Sequence, residues 1–211
     1  MYKHSTIYLA YALLLTICSC SDHTHNNNNN KAKKETAEYG LPVPAKWKTE
    51  KFKFPPEFAS QLPYTGDEDI RFSPGWESVT NDEHWAYCFL WWLNGDVKMD
   101  TTILQDNLKI YYSGLIGANV KERNIPGDKN IPVITAIKKI TTASGDIETY
   151  NGTVTMVDYL DVVFNPITLN LLIHKKSCAG HTAVLVEISP RAYEHKVWKE
   201  MDGIVGGFEC K

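Results

Sequence analysis

Residues 85–93, WAYCFLWWL, hold no charged or amide side chain and constrain the fold more than any other stretch of the chain. On a strand, successive side chains point to opposite faces. Trp85, Tyr87, Phe89, Trp91 and Leu93 then share one face, and Ala86, Cys88, Leu90 and Trp92 share the other. Both faces are apolar, so both must be covered. A core helix is the rival reading, but a short aromatic run bounded by NDEH and NGD favours a strand. The segment is therefore expected to be an interior strand with packing partners on either side.

The rest of the chain supplies those partners. Residues 47–54 alternate loosely and end at Pro55 and Pro56, which cannot donate to a ladder, so they read as an edge strand. A short helical turn follows over residues 57–61. Residues 70–73 form a short strand, and Pro74 and Gly75 suit a type II turn, with Trp76 at the core edge. Asn94 and Gly95 close the aromatic strand. Residues 100–117 predict a long helix, capped by Asp100 or Thr101, with Thr102 and Gln105 spaced as a capping box. Its apolar stripe is Ile103, Leu104, Leu108, Tyr111, Tyr112 and Leu115. Gly114 and Gly117 serve close packing and the helix stop.

Four strand-like runs follow, over residues 133–140, 147–159, 167–175 and 181–188, joined by short turn-like links. Such spacing predicts an antiparallel meander. Ser189 and Pro190 suit the start of a last helix, with Tyr193, Val197, Met201, Ile204 and Phe208 as its buried stripe and Trp198 alongside. Gly206 and Gly207 weaken its end. The expected architecture is α+β: an antiparallel sheet of six to seven strands covered by two long helices, in one domain over residues 41–211.

The amino terminus reads as an address. Lys3 and His4 precede an eleven-residue apolar run, 7–17, well short of the ~20 residues a spanning helix needs. Ile17, Cys18, Ser19 and Cys20 resemble the lipobox of bacterial lipoproteins, with Cys18 a departure from the usual pattern. The resemblance implies a signal peptide over residues 1–19, acylation such as palmitate on Cys20, and attachment in the cell envelope; Ser21 is similar to outer-membrane sorting signals. Residues 20–40, rich in Asn and Lys, read as a disordered tether. His23 and His25 within it are solvated rather than metal ligands.

Two further resemblances concern the body. RFSPGW, HWAYCFLWWLNGD and LKIYYSGL, within residues 71–115, resemble an uncharacterised group of bacterial hypothetical lipoproteins and transfer no functional residue. The Pro-Gly-Trp turn, the helix, the meander and the closing HKVWKEMDGIVGGF are similar to PsbP-like α/β/α sandwiches. That similarity implies a non-catalytic binding or assembly role at a membrane, an inference from fold analogy alone.

Charge excludes some partners. The net charge of −3, with both signs interspersed, leaves no basic footprint for nucleic acid. No phosphate loop, GxSxG, HExxH or zinc-finger spacing is present, so no cofactor is expected. His174 and His181 flank KKSCAG; a two-residue turn at Ser177 and Cys178 would set them opposite each other with Cys178 at the tip, and a longer turn would offset them. Asp146, Glu148, Asp158 and Asp161 can hold a hard cation or solvate turns. Glu83 beside His84 can form a general-base pair, but Ser73 and Ser78 lack a nucleophile context. Cys88 reads as an inert buried thiol. Cys178 and Cys210 can bridge outside the cytoplasm.

Three functions compete. A tethered module binding another envelope protein predicts exposed aromatics, with Trp47, Tyr64 and Trp76 as the candidate surface. A metal-dependent or acid–base hydrolase predicts convergence of Glu83 and His84, or of His174 and His181, with acids. A small-ligand carrier predicts a pocket of ~300 Å³ between sheet and helix, lined by Trp and Tyr.

Overall fold

The computed structural model describes residues 38–211. The signal segment, Cys20, His23, His25 and the tether up to residue 37 lie outside the described residues. The elements are β1 (Tyr39–Gly40), β2 (Lys48–Phe54), β3 (Gly66–Phe72), β4 (Tyr87–Asn94), α1 (Thr101–Glu122), β5 (Ile134–Lys139), β6 (Glu148–Val157), β7 (Pro166–Cys178), β8 (His181–Ser189), α2 (Lys196–Gly206) and β9 (Glu209–Cys210), with a 3-10 turn at Glu57–Ala59. Seven strands form one sheet in the order β2-β3-β4-β8-β7-β6-β5, and every pair is antiparallel. Two meanders, β2-β3-β4 and β5-β6-β7-β8, thus meet along the β4–β8 ladder, and α1 lies in the connection between them.

The aromatic run is an interior strand covered on both sides. Tyr87, Phe89, Trp91 and Leu93 pack with Leu104, Leu108, Tyr111, Tyr112 and Ile116 of α1. Ala86 and Cys88 pack with Trp47 and with Val197, Trp198, Met201 and Ile204 of α2. Leu90 and Trp92 pack with Tyr39, Ala183, Leu185 and Val205. Full burial of a large apolar side chain contributes roughly 1.5–3 kcal/mol, so this strand contributes more than its length suggests. The fourth strand of the seven is β8, however, and it too is almost wholly buried. Trp85 precedes β4, entering the core from a backbone with φ 57°.

Several local expectations change. Glu38, Tyr39 and Gly40, expected in the tether, belong to the folded body: β1 pairs with β9, and Glu38 accepts from Trp92 Nε1. The short strand expected at residues 70–73 starts earlier, as β3 at Gly66. Gly75 does not take a positive φ, so the turn is not type II. Its requirement is space, since a Cβ there would lie 2.4 Å from the Asn81 side chain.

Asp100 caps α1 by accepting from Ile103 N. Gln105 closes no capping box; it accepts from Ile137 N of edge strand β5. Ile103 faces outward, and Asn107 and Ile116 complete the buried stripe. Gly117 stops nothing, because α1 continues to Glu122, whereas Gly114 lets Phe58 O approach to where a Cβ would stand.

The last helix begins six residues later than expected. His195, not Ser189, is the N-cap, accepting from Val197 N. Ser189 still closes β8, and its Oγ accepts from Arg191 N. Tyr193 therefore sits in the preceding turn, 41 % exposed, rather than in a buried stripe, and Phe208 lies beyond the helix.

Candidate functional site: a polar cavity under the last helix

The two histidine candidates lie at opposite ends of β6. At its far end, Asp158 gathers four donors. His84 Nε2 lies 2.8 Å from Oδ2, and Trp85 Nε1 lies 2.8 Å from Oδ1. Leu160 N and Asp161 N also donate to Oδ1. This cluster fastens the β6–β7 loop to the start of β4. Glu83 turns away and accepts from Gly75 N at 2.8 Å, so Glu83 and His84 form no base pair. Ser73 donates to Glu83 O, and Ser78 lies beside Thr80; neither addresses a histidine.

At the near end stands His174, whose register partner on β6 is Thr149. Nine residues of strand separate Thr149 from Asp158, roughly 30 Å. The histidines therefore cannot act on one substrate atom. His181 is also apart. The β7–β8 turn is Ala179 and Gly180, so His181 pairs with Cys178 while His174 pairs with Leu185. The offset is four residues along β7, roughly 13 Å. His181 instead stacks on Trp92, ring centroids 4.5 Å apart, with Nε2 3.4 Å from Glu38 Oε2. Cys178 is bridged to Cys210, Cα atoms 5.6 Å apart, which removes its thiolate from any zinc set. Among the described residues, no group of three or more His, Cys, Asp or Glu is arranged to hold a metal ion.

The carboxylates also separate. Glu148 faces the α1 side, where Lys139 and Tyr150 donate to it and Lys175 lies 3.2 Å away. The Lys139 bond, aided by Tyr150 and Lys175, holds its carboxyl down at about 2. Asp161 caps its own loop by accepting from Val163 N. Asp146 turns to the α2 side and accepts from Lys176 Nζ at 2.7 Å and Thr149 Oγ1 at 2.6 Å, with His174 Nδ1 also at 2.7 Å.

Around His174 the polar groups do converge. Its Nε2 lies 3.2 Å from Glu187 Oε1, within ion-pair range but not aligned as a hydrogen bond. Glu187 stands on β8 between Leu172 of β7 and Cys88 of β4 in register, and is 0 % exposed. Burial pushes its carboxyl up to about 7, partly offset by His174. Burial works against the imidazolium, yet the two carboxylates outweigh it and raise His174 to about 9. Burial also opposes ionisation of Asp146, but its bonds from His174, Lys176 and Thr149 hold it below the usual carboxylate range. His174 thus lies between two acids that favour its protonated form, bonded to Asp146 and in contact with Glu187. A ring in that state has no free lone pair to take a proton.

This cluster lines an open cavity of about 200 Å³ bordered by Asp202, Val205 and Gly206 of α2. A second cavity of about 300 Å³ adjoins the same Asp202 and is lined by Ile140, Asn151, Leu172, Tyr193 and Trp198. Glu187, Asp202 and Lys176 stand in no sequence motif, because a cavity residue needs none. The available signal was a glutamate inside LVEIS, an otherwise apolar stretch of β8.

The three aromatics expected at the surface do not form an exposed patch. Trp47 is buried against α2, Tyr64 is half-buried beside Asn107, and Trp76 stacks on Phe72 at 4.4 Å. Each is used in packing, as amphipathic rings beside an aromatic core tend to be. Compared with protein-family models, curated proteins and solved structures, the chain has no match.

Proposed function

We propose that the chain is a membrane-tethered binding module of the bacterial cell envelope, held by lipid on Cys20 and acting without a catalytic set of its own. One observation carries this reading: the Cys178–Cys210 bridge, which closes β9 onto the end of β7. Such bridges persist in oxidising compartments and are rare where thiols are kept reduced. The compartment it favours is the one that the lipobox-like Ile17, Cys18, Ser19 and Cys20 address. More than one acyl chain on Cys20 would hold the chain firmly, since one chain alone is marginal. Ser21 favours the outer membrane. The separated and clamped histidines support a binding role over hydrolysis.

Metabolic labelling with palmitate tests the anchor. The full chain and Cys18→Ala are expected to take up label, and Cys20→Ala to take up none. Label surviving in Cys20→Ala would overturn it. A second reading, small-ligand carriage, is favoured by the paired cavities beneath α2, one of them flanked by Tyr193 and Trp198.

A further inference from the structure

We infer that the paired cavities under α2 bind an organic cation, an ammonium or guanidinium group attached to an apolar body. The inference rests on the reading of the domain as a binding module and names its ligand class. It does not depend on the anchor.

Glu187 is wholly buried, and neither carboxylate oxygen accepts a hydrogen bond; Oε1 has only the misaligned His174 contact. Asn151 Oδ1, facing the second cavity, is likewise a buried acceptor without a donor. These oxygens demand N–H or O–H donors, and leaving a buried carboxylate without them is costly.

The nearby lysine and arginine are committed elsewhere. Lys176 is held by Asp146. Arg71 lies on the same face in the Glu187 row, two strands away, but it is bound to Asp69 and to the Leu41 and Pro42 carbonyls. Around the first cavity three carboxylates, Asp146, Glu187 and Asp202, face two cationic groups, His174 and Lys176. Asp202 makes no ion pair among the described residues. Val205 and Gly206 place the carboxyl end of α2 at the wall, and that end of a helix also favours positive charge.

The second cavity supplies the apolar half. Tyr193 and Trp198, ring centroids 4.7 Å apart, flank it beside Leu172. Leu172 is the register neighbour of both Asn151 and Glu187, so one row of the sheet runs from the aromatic wall to the carboxylate. A donor-rich head at Glu187 and Asp202, with a ring or chain against Tyr193 and Trp198, satisfies both cavities together. The same head could belong to a free amine or to a Lys or Arg side chain of a polypeptide.

Calorimetric titration of the full chain in nonionic detergent tests this, at about pH 8, above the raised Glu187 value of about 7 and below the range where an alkylammonium loses its proton. The probes are phenethylammonium, neutral 2-phenylethanol and the peptide acetyl-Gly-Lys-Gly-amide. Phenethylammonium is expected to bind at least tenfold tighter than 2-phenylethanol. Glu187→Gln is expected to weaken it at least tenfold, and the rim variant Asp202→Asn about threefold. Tighter binding of the peptide would keep the chemistry and assign it to a protein side chain. Unchanged near-ultraviolet circular dichroism verifies that each variant is folded. Equal binding of the alcohol, no binding of either cation, or indifference to both substitutions would overturn the proposal. Failure of the anchor would show separately, in the palmitate label.

Discussion

The face of the sheet under α1 buries far more large side chains than the face under α2, and the two solve different problems. Under α1 Trp91 packs against Phe54, Phe89 and Tyr111, and Phe89 against Tyr111, with ring centroids 5.1–5.6 Å apart, and one carboxyl, Glu68, is buried beside them. Tyr111 donates to Glu68 at 2.7 Å, but burial dominates and pushes that carboxyl up to about 8, so it is largely neutral at physiological pH. Under α2 the buried glutamate, Glu187, instead shares its surroundings with His174, Lys176 and Asp146 and opens onto a cavity. A lone acid in a dry core gives up its charge, whereas an acid beside cations and a cavity can keep it. The first face stabilises the fold; the second holds chemistry that packing alone does not require.

Four substitutions break or sharpen this contrast. Trp91→Ala, in the dry face, is expected to cost about 3–5 kcal/mol in urea unfolding. A loss under 1 kcal/mol would mean that the aromatic layer is not the core. Next comes Glu68→Gln. The folded carboxyl binds its proton more tightly than the unfolded one, whose pKa is near 4.5. The stability it contributes is full below about pH 4.5 and lost as pH rises to about 8. Relative to the variant, the wild type should lose up to about 4 kcal/mol across that window, one pKa unit being about 1.4 kcal/mol. Parallel pH profiles would show that Glu68 is not buried as a neutral acid.

Cys210→Ser opens a bridge spanning 32 positions and is expected to cost about 3 kcal/mol, read as a drop in melting temperature that a reductant reproduces in the wild type. An unchanged melting temperature in reductant would argue that the bridge is not formed. The smallest effect belongs to Val162→Asp, at the 87 % exposed tip of the β6–β7 loop, expected within about 0.5 kcal/mol of the wild type. A larger loss would mean that something covers that tip.

The sheet was legible in the sequence because period-two alternation and turn residues report burial directly. The four runs after α1 became β5 to β8 with ends shifted by a few residues. The α2 start was misread because Ser189 and Pro190 are good cap residues in isolation. Here β8 claims Ser189, and Arg191 Nε and NH2 reach back to the carbonyls of Asp82 and Asn81, which holds the segment as turns. The exposure of the aromatics was illegible for the opposite reason. Trp47 and Trp76 look free in sequence, and only the tertiary fold supplies their partners. The cavity under α2 brings together residues from the β5–β6 connection, β7, β8 and α2, a juxtaposition that no local pattern encodes.

The most direct test of the contrast between the faces is a titration of the ¹⁵N-labelled full chain with phenethylammonium, followed by amide and indole N–H shifts. The Trp198 indole and the amides of Glu187, Tyr193 and Asp202 are expected to move together and saturate, while those of Leu108, Tyr111 and Trp91 stay in place. Shifts centred on α1, or none at all, would contradict the account.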